Sequence, residues 1–170
     1  MKLFKNVFLV LLLSLAVVAC NKSDDDGSDG GDAAEGTVTA KVDGANFTSM
    51  SIATTAVQTS AGGTSTLRVQ GSDADGKGII LTIIGFDGTG SYNVGGGADI
   101  FTNAVYVEAN VSNPADSQSW MAPFDDTVAG EINVSEINET NVIGTFSFTG
   151  KNGNDDSTKA ITEGSFNANF

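Results

Sequence analysis

Beyond residue 36, apolar and polar residues alternate along much of the chain. Val38, Ala40 and Val42 are separated by Thr37, Thr39 and Lys41, the period of two that gives a strand one buried face. Asp43-Gly44 then supplies turn chemistry. Asn46–Gln58 is rich in Thr and Ser and predicts one or two strands around Phe47, Ile52 and Val57. Ala61–Thr64 reads as a turn, after which Leu67 and Val69 alternate with Arg68 and Gln70. Gly71–Gly78 is polar and predicts a loop. Ile79–Ile84 is nearly all apolar and is bounded by Gly78 and Gly85, the pattern of a central strand covered on both faces.

Asp87-Gly88-Thr89-Gly90 turns the chain into Ser91–Val94, and Gly95–Gly97 is a further break. In Ala104–Val111, Val105, Val107, Ala109 and Val111 share one face, with Tyr106 and Glu108 on the other. Asn113–Asp126 has no clear period and predicts a loop carrying Trp120, Met121 and Phe124. Glu131–Ile137 and Val142–Thr149 flank Asn138–Asn141, a hairpin-length connection. After the polar loop Lys151–Ser157, Ala160–Phe170 returns with Phe166, Ala168 and Phe170 on one side. No stretch of this region sustains a helical period. The pattern predicts an all-β domain over residues 37–170: an antiparallel β-sandwich of about nine or ten strands ending in a three-strand meander, with a closed β-barrel as the alternative.

The first 36 residues follow other rules. Lys2 and Lys5 precede a short apolar run, Val7–Ala19, too short for the roughly 20 residues that span a bilayer. This is signal-peptide patterning over residues 1–19. Val17-Val18-Ala19-Cys20 resembles the lipobox of a bacterial lipoprotein, which implies diacylglycerol on Cys20 and cleavage just before it. Residues 20–36 are acidic and glycine-rich, with no large apolar side chain, and predict a flexible tether. The start of the tether, Lys22 followed by Asp24–Asp26, is similar to the surface-export signal of Bacteroidota lipoproteins. The expected location is therefore the outer membrane, lipid-anchored and displayed at the cell surface.

Composition narrows the chemistry. The net charge of −13 repels phosphate backbones and argues against nucleic-acid partners. The chain has no histidine and one cysteine, Cys20, which excludes His-based triads, His metal sites and an internal disulfide.

Several short pieces resemble, in order and spacing, a family of uncharacterised Bacteroidota lipoproteins classed as a domain of unknown function. They are Val42-Asp43-Gly44, Gly88–Val94 (GTGSYNV), Gly130–Ile132 (GEI), Gly144–Gly150 (GTFSFTG) and Ile161–Phe166 (ITEGSF). The resemblance implies an extracytoplasmic β domain and assigns no activity.

Three constellations are candidates for chemistry. Glu131 and Glu136 resemble the acids of a β-sandwich glycosidase strand, but retaining hydrolysis needs carboxyls about 5–5.5 Å apart. Residues five apart on a regular strand face opposite ways, so only a bulge would bring them together. Asp73 and Asp75 echo part of a calcium loop whose first and twelfth positions, Gly71 and Thr82, lack the acids that calcium requires. Trp120 and Phe124 are candidate aromatics for stacking on a glycan or docking a protein partner. The expected function is a non-enzymatic binding or interaction module without a cofactor, calcium aside. The alternatives are a carboxylate-based glycan hydrolase and a structural envelope protein with no small ligand.

Overall fold

The computed structural model describes residues 33–97 and 102–170. The signal segment 1–19, Cys20 and most of the expected tether lie outside the described residues. Eleven strands form: β1 (Thr37–Val42), β2 (Ala45–Thr48), β3 (Thr54–Ala61), β4 (Thr64–Ser72), β5 (Lys77–Ile84), β6 (Gly90–Gly95), β7 (Thr102–Glu108), β8 (Gln118–Ala122), β9 (Val128–Ile137), β10 (Asn141–Lys151) and β11 (Thr158–Asn169). Every pairing is antiparallel. The class matches the alternation in the sequence, with eleven strands against the nine or ten expected. The closing meander β9–β10–β11 is present as expected.

The strands form one curled, half-barrel sheet. Its main path runs β2-β1-β11-β10-β8-β7-β5-β4-β3. Strand β10 is the branch point. Val142–Phe148 pair with β9, which in turn carries β6, whereas Lys151 pairs with Met121 of β8. The two ends of the path, β2 and β3, are consecutive in the chain, so the sheet returns towards its own beginning. The link between them is stitched by the Met50 N–H donating to the Ser72 carbonyl at 2.9 Å and by the Val38 N–H donating to Ser49 Oγ at 2.8 Å.

Tight turns set the register. The β1–β2 hairpin turns through Asp43 (φ 49°) and Gly44 (φ 83°), a two-residue loop with both residues left-handed. Asp43 adds a tertiary tie: its Oδ1 accepts the Ala160 N–H at 2.9 Å, and Lys159 Nζ lies 3.0 Å from its Oδ2.

Inward faces fill the half-barrel. Val38, Val94, Val142, Ile161, Phe166 and Ala168 are fully buried, as are Leu67, Ile79, Leu81 and Ile83 to within 2%. Each such large side chain contributes about 1.5–3 kcal/mol of burial free energy. In the meander the aromatics interlock, with Phe146 6.4 Å from Phe148 and 6.3 Å from Phe166, centroid to centroid.

Five local expectations change. Strand β5 is central, but its outward face is only half covered. Ile79, Leu81 and Ile83 are buried, whereas Ile84 is 37% exposed. A continuous apolar run can serve a one-sided sheet when the outward residues lean on their strand neighbours. In β7 the core side is Ala104 and Tyr106, while Val105 and Val107 face outward. Ile52 is 93% exposed on a single helical turn, Ser51–Ala53, and the inward residues of β3 are Thr54 and Ala56, not Val57. The expected loop around Trp120 is strand β8, which pairs with β7 from Ala104↔Ala122 to Glu108↔Gln118. Finally, ordered contacts begin before Thr37. Ala33 is buried and donates its N–H to Ser165 Oγ, and the Gly36 N–H reaches the Asn167 carbonyl at 2.7 Å.

Candidate functional site

The sequence candidates are dispersed by the fold. Trp120 is buried in the core and packs against Tyr106, ring centroids 5.6 Å apart and planes tilted by 34°. Its Nε1 donates to Ser157 Oγ at 3.0 Å, and Lys159 Nζ sits 5.3 Å from its ring centroid. Every polar and cationic option of the indole is thus used internally, so Trp120 is no exposed sugar platform. Phe124 is 44% exposed and lies beyond the end of β8, away from any groove formed with Trp120.

Asp73 Oδ1 accepts the N–H groups of Asp75 (2.9 Å) and Lys77 (2.8 Å). The carboxylate therefore holds a turn between β4 and β5, as short polar side chains commonly do. Among the described residues no three acidic side chains converge as a cation cage.

Glu131 and Glu136 do reach the same outward face, because Ser135 is an extra residue in β9 where the register with β10 shifts. They sit opposite Ser147 and Ile143, four residues apart on β10, or roughly 13 Å along the strand. That is too far for a retaining pair. The sequence did not reveal Glu131's actual neighbour across the strands. Glu163 sits in a bulge of β11 (φ 51°) and borders, with Glu131, Thr145 and Ser147, an open pocket of about 200 Å³. Lys41 holds Glu163 at 2.7 Å.

A smaller pocket of about 110 Å³ lies among β1, β2, β5 and β7, lined in part by Phe47, Lys77, Tyr106, Glu108 and Lys159. The Tyr106 hydroxyl donates to Glu108 Oε1 at 2.9 Å. Burial of its ring, reinforced by the Glu108 carboxylate, pushes the phenol well above its ordinary value. Next to it, the Ala160 N–H and then Lys159 hold the Asp43 carboxyl below the usual range. These groups satisfy one another and leave little to offer a ligand.

A third and roomier concavity, of about 400 Å³, lies on the outward face of β3, β4 and β5. Strand pairing builds it in three rows: Thr59 beside Thr66, Val57 beside Arg68 and Thr82, and Thr55 beside Gln70. Sequence alternation placed Arg68 and Gln70 outward but carried no sign that the surface above them was concave. The lining exists only once the register sets residues of β3, β4 and β5 side by side.

Residues 34–168 match the family described as a domain of unknown function, DUF6252. The chain belongs to this family. No curated protein and no solved structure matches it. The DUF6252 match begins within the Ala33–Gly36 segment that docks on β11. The pieces GTFSFTG and ITEGSF, on which the family resemblance partly rested, are β10 and β11. Their glycines admit neighbouring aromatics: a Cβ on Gly144 would strike the Asn133 carbonyl and the Phe166 ring, and one on Gly164 would strike Phe146. These motifs serve packing.

Proposed function

We propose that this DUF6252 domain is a non-catalytic binding module, held at the cell envelope of a Bacteroidota bacterium by a lipid on Cys20. The observation that carries the binding role is the groove of about 400 Å³ over β3, β4 and β5. Its volume falls in the range of small-ligand sites, and its side chains stand on paired strands, which fixes their spacing before any ligand arrives. Support for the anchor is the signal-like Lys2–Ala19 segment ending at Cys20, and support for surface display is Lys22 with Asp24–Asp26.

Two measurements test the two halves. Fractionation of cells expressing the Cys20→Ala chain should move the protein out of the membrane fraction; retention there like the parent overturns the anchor. An array of glycans and peptides probed with the full-length chain in mild detergent should yield a binder that also raises Tm, since a ligand specific to the folded state stabilises it. An array with no such binder overturns the binding role.

A carboxylate-based glycan hydrolase is the second reading. It is favoured by the open pocket that Glu131 and Glu163 border together, on strands roughly 10 Å apart, nearer the spacing of an inverting pair than of a retaining one. Glycan cleavage lost in both Glu131→Gln and Glu163→Gln would establish it in place of the first.

A further inference from the structure

Arg68 is the only arginine in a chain of net charge −13. Lys41, Lys151 and Lys159 hold carboxylates at 2.7, 2.7 and 3.0 Å respectively, whereas Arg68, like Lys77, makes no ion pair among the described residues. In so acidic a molecule a free guanidinium is a matter of placement. The register sets Val57 and Thr82 directly beside Arg68, and among the described residues no acid borders the groove. The fork of five N–H donors therefore faces the concavity with its capacity unspent.

The surroundings narrow what would satisfy it. Thr55, Thr59, Thr66 and Thr82 present hydroxyls that donate and accept equally, and Gln70 adds an amide that does both. Successive outward residues of one strand are about 6.6 Å apart, the scale of one sugar ring. A ligand carrying hydroxyls on several sides of an anionic group uses all of these positions. A peptide would need apolar pockets, and Val57 is the sole large apolar side chain in the lining. A densely charged polyanion is opposed by the net charge at distances up to about the 8 Å screening length in physiological salt.

We propose that the groove over Thr55, Val57, Arg68, Gln70 and Thr82 takes an acidic sugar, its one anionic group on Arg68 and its ring hydroxyls on the threonines. This rests on the binding role given above and specifies its ligand. The chemistry is met by a uronic acid or by a sulfated sugar set among neutral units.

The test titrates the full-length chain in mild detergent with four probes of matched length: a neutral oligosaccharide, one containing a uronate, one containing a sulfate, and an acidic peptide. The uronate or the sulfate probe is expected to bind, and which of them binds names the source of the anion. Arg68→Gln should weaken that binding by about tenfold or more, as loss of a charge-assisted hydrogen bond does. It should leave Tm unchanged, because the side chain is exposed. Arg68→Lys should fall between the two. Binding of the acidic probes undiminished in Arg68→Gln overturns the proposal, and so does binding of the peptide alone or of no probe. Binding of the neutral probe alone also overturns it, while leaving the groove a binding site and the domain a binding module.

Discussion

The meander β9–β11 and the strands β3–β5 are two walls of one half-barrel, built on different terms. The meander packs large rings inward, and its glycines are the spaces those rings require. Gly144 lies against Phe166, Gly164 against Phe146, and Gly130 against the backbone of Ser147 and Phe148. In β3–β5 the inward side is filled by aliphatics, and the glycines of the β3–β4 hairpin, Gly62 and Gly63, have no atom within 4 Å of where a Cβ would stand. They are there for their positive φ of 60° and 85°. That tightness is inward: the outward side of the meander stays open beside Glu131, Thr145 and Ser147. The second wall commits only its inward half to the core, and its outward half is available for recognition.

Substitutions should separate the walls sharply. Phe166→Ala removes a fully buried ring from the meander and should cost about 3–5 kcal/mol. Gly144→Ala adds a methyl against both a carbonyl and a ring, and overpacking of that kind costs about 1–3 kcal/mol. Gly63→Asn, by contrast, should cost no more than about 1 kcal/mol, because asparagine tolerates the left-handed region better than other side chains and meets nothing there. Urea denaturation of the three variants checks the order. Gly144→Ala as mild as Gly63→Asn would show that the meander is more plastic than its contacts imply.

Alkaline pH should act through strands outside both walls, β6 and β7. Tyr106, in the core between β5 and β8, has its phenol raised above the ordinary value of 10 by burial and by the Glu108 carboxylate. For an acid whose neutral form is favoured by folding, the stabilisation is complete below the unfolded value. It is lost as pH rises through the folded value. Tm should therefore be level up to about pH 10 and then fall as unfolding releases a proton. Tyr92 is raised in the same direction, chiefly by burial and by Asp87, and adds to the decline. Tyr106→Phe should flatten the alkaline limb without moving the neutral plateau by as much, whereas no change at Arg68 should affect either. A Tm profile between pH 8 and 12 decides it. An alkaline limb identical in Tyr106→Phe would place the titrating group elsewhere.

The same contrast explains what the sequence disclosed. The meander was legible because Val142, Phe146, Phe148 and Phe166 keep strict alternation and the connecting loops are polar. The turns at Asp43-Gly44 and Ala61–Thr64 were legible because left-handed φ values demand particular residues. Strand β8 was missed because its inward residues are only Trp120 and Ala122, and two positions do not establish a period. Trp120 then looked available when its ring was in fact engaged by Tyr106, Ser157 and Lys159, partners on β7 and near the start of β11. The groove was illegible for a different reason. Threonines on the outward face of a sheet are ordinary strand formers, and only the pairing of three strands turns them into a lining.

Ile52 gives the smallest expected effect and the sharpest check on how the second wall begins. By residue type it belongs in a core, and it stands within a Thr/Ser-rich stretch where few other large apolar residues compete for one. The helical turn Ser51–Ala53 that links β2 to β3 instead lifts it to 93% exposure, while Thr54 goes inward and its hydroxyl meets Ser49 Oγ at 2.6 Å. The link is thus held by hydroxyls and by the Met50 N–H, with the aliphatic side chain outside. Ile52→Ser should change stability by less than about 0.5 kcal/mol, the range of surface substitutions that break no contact. Thr54→Val should cost more despite its similar shape, since it leaves Ser49 Oγ buried with one partner fewer. Thermal melts of the two variants rank them directly. A larger loss in Ile52→Ser than in Thr54→Val would mean that Ile52 is covered in the folded protein, and that the second wall starts with a hydrophobic contact.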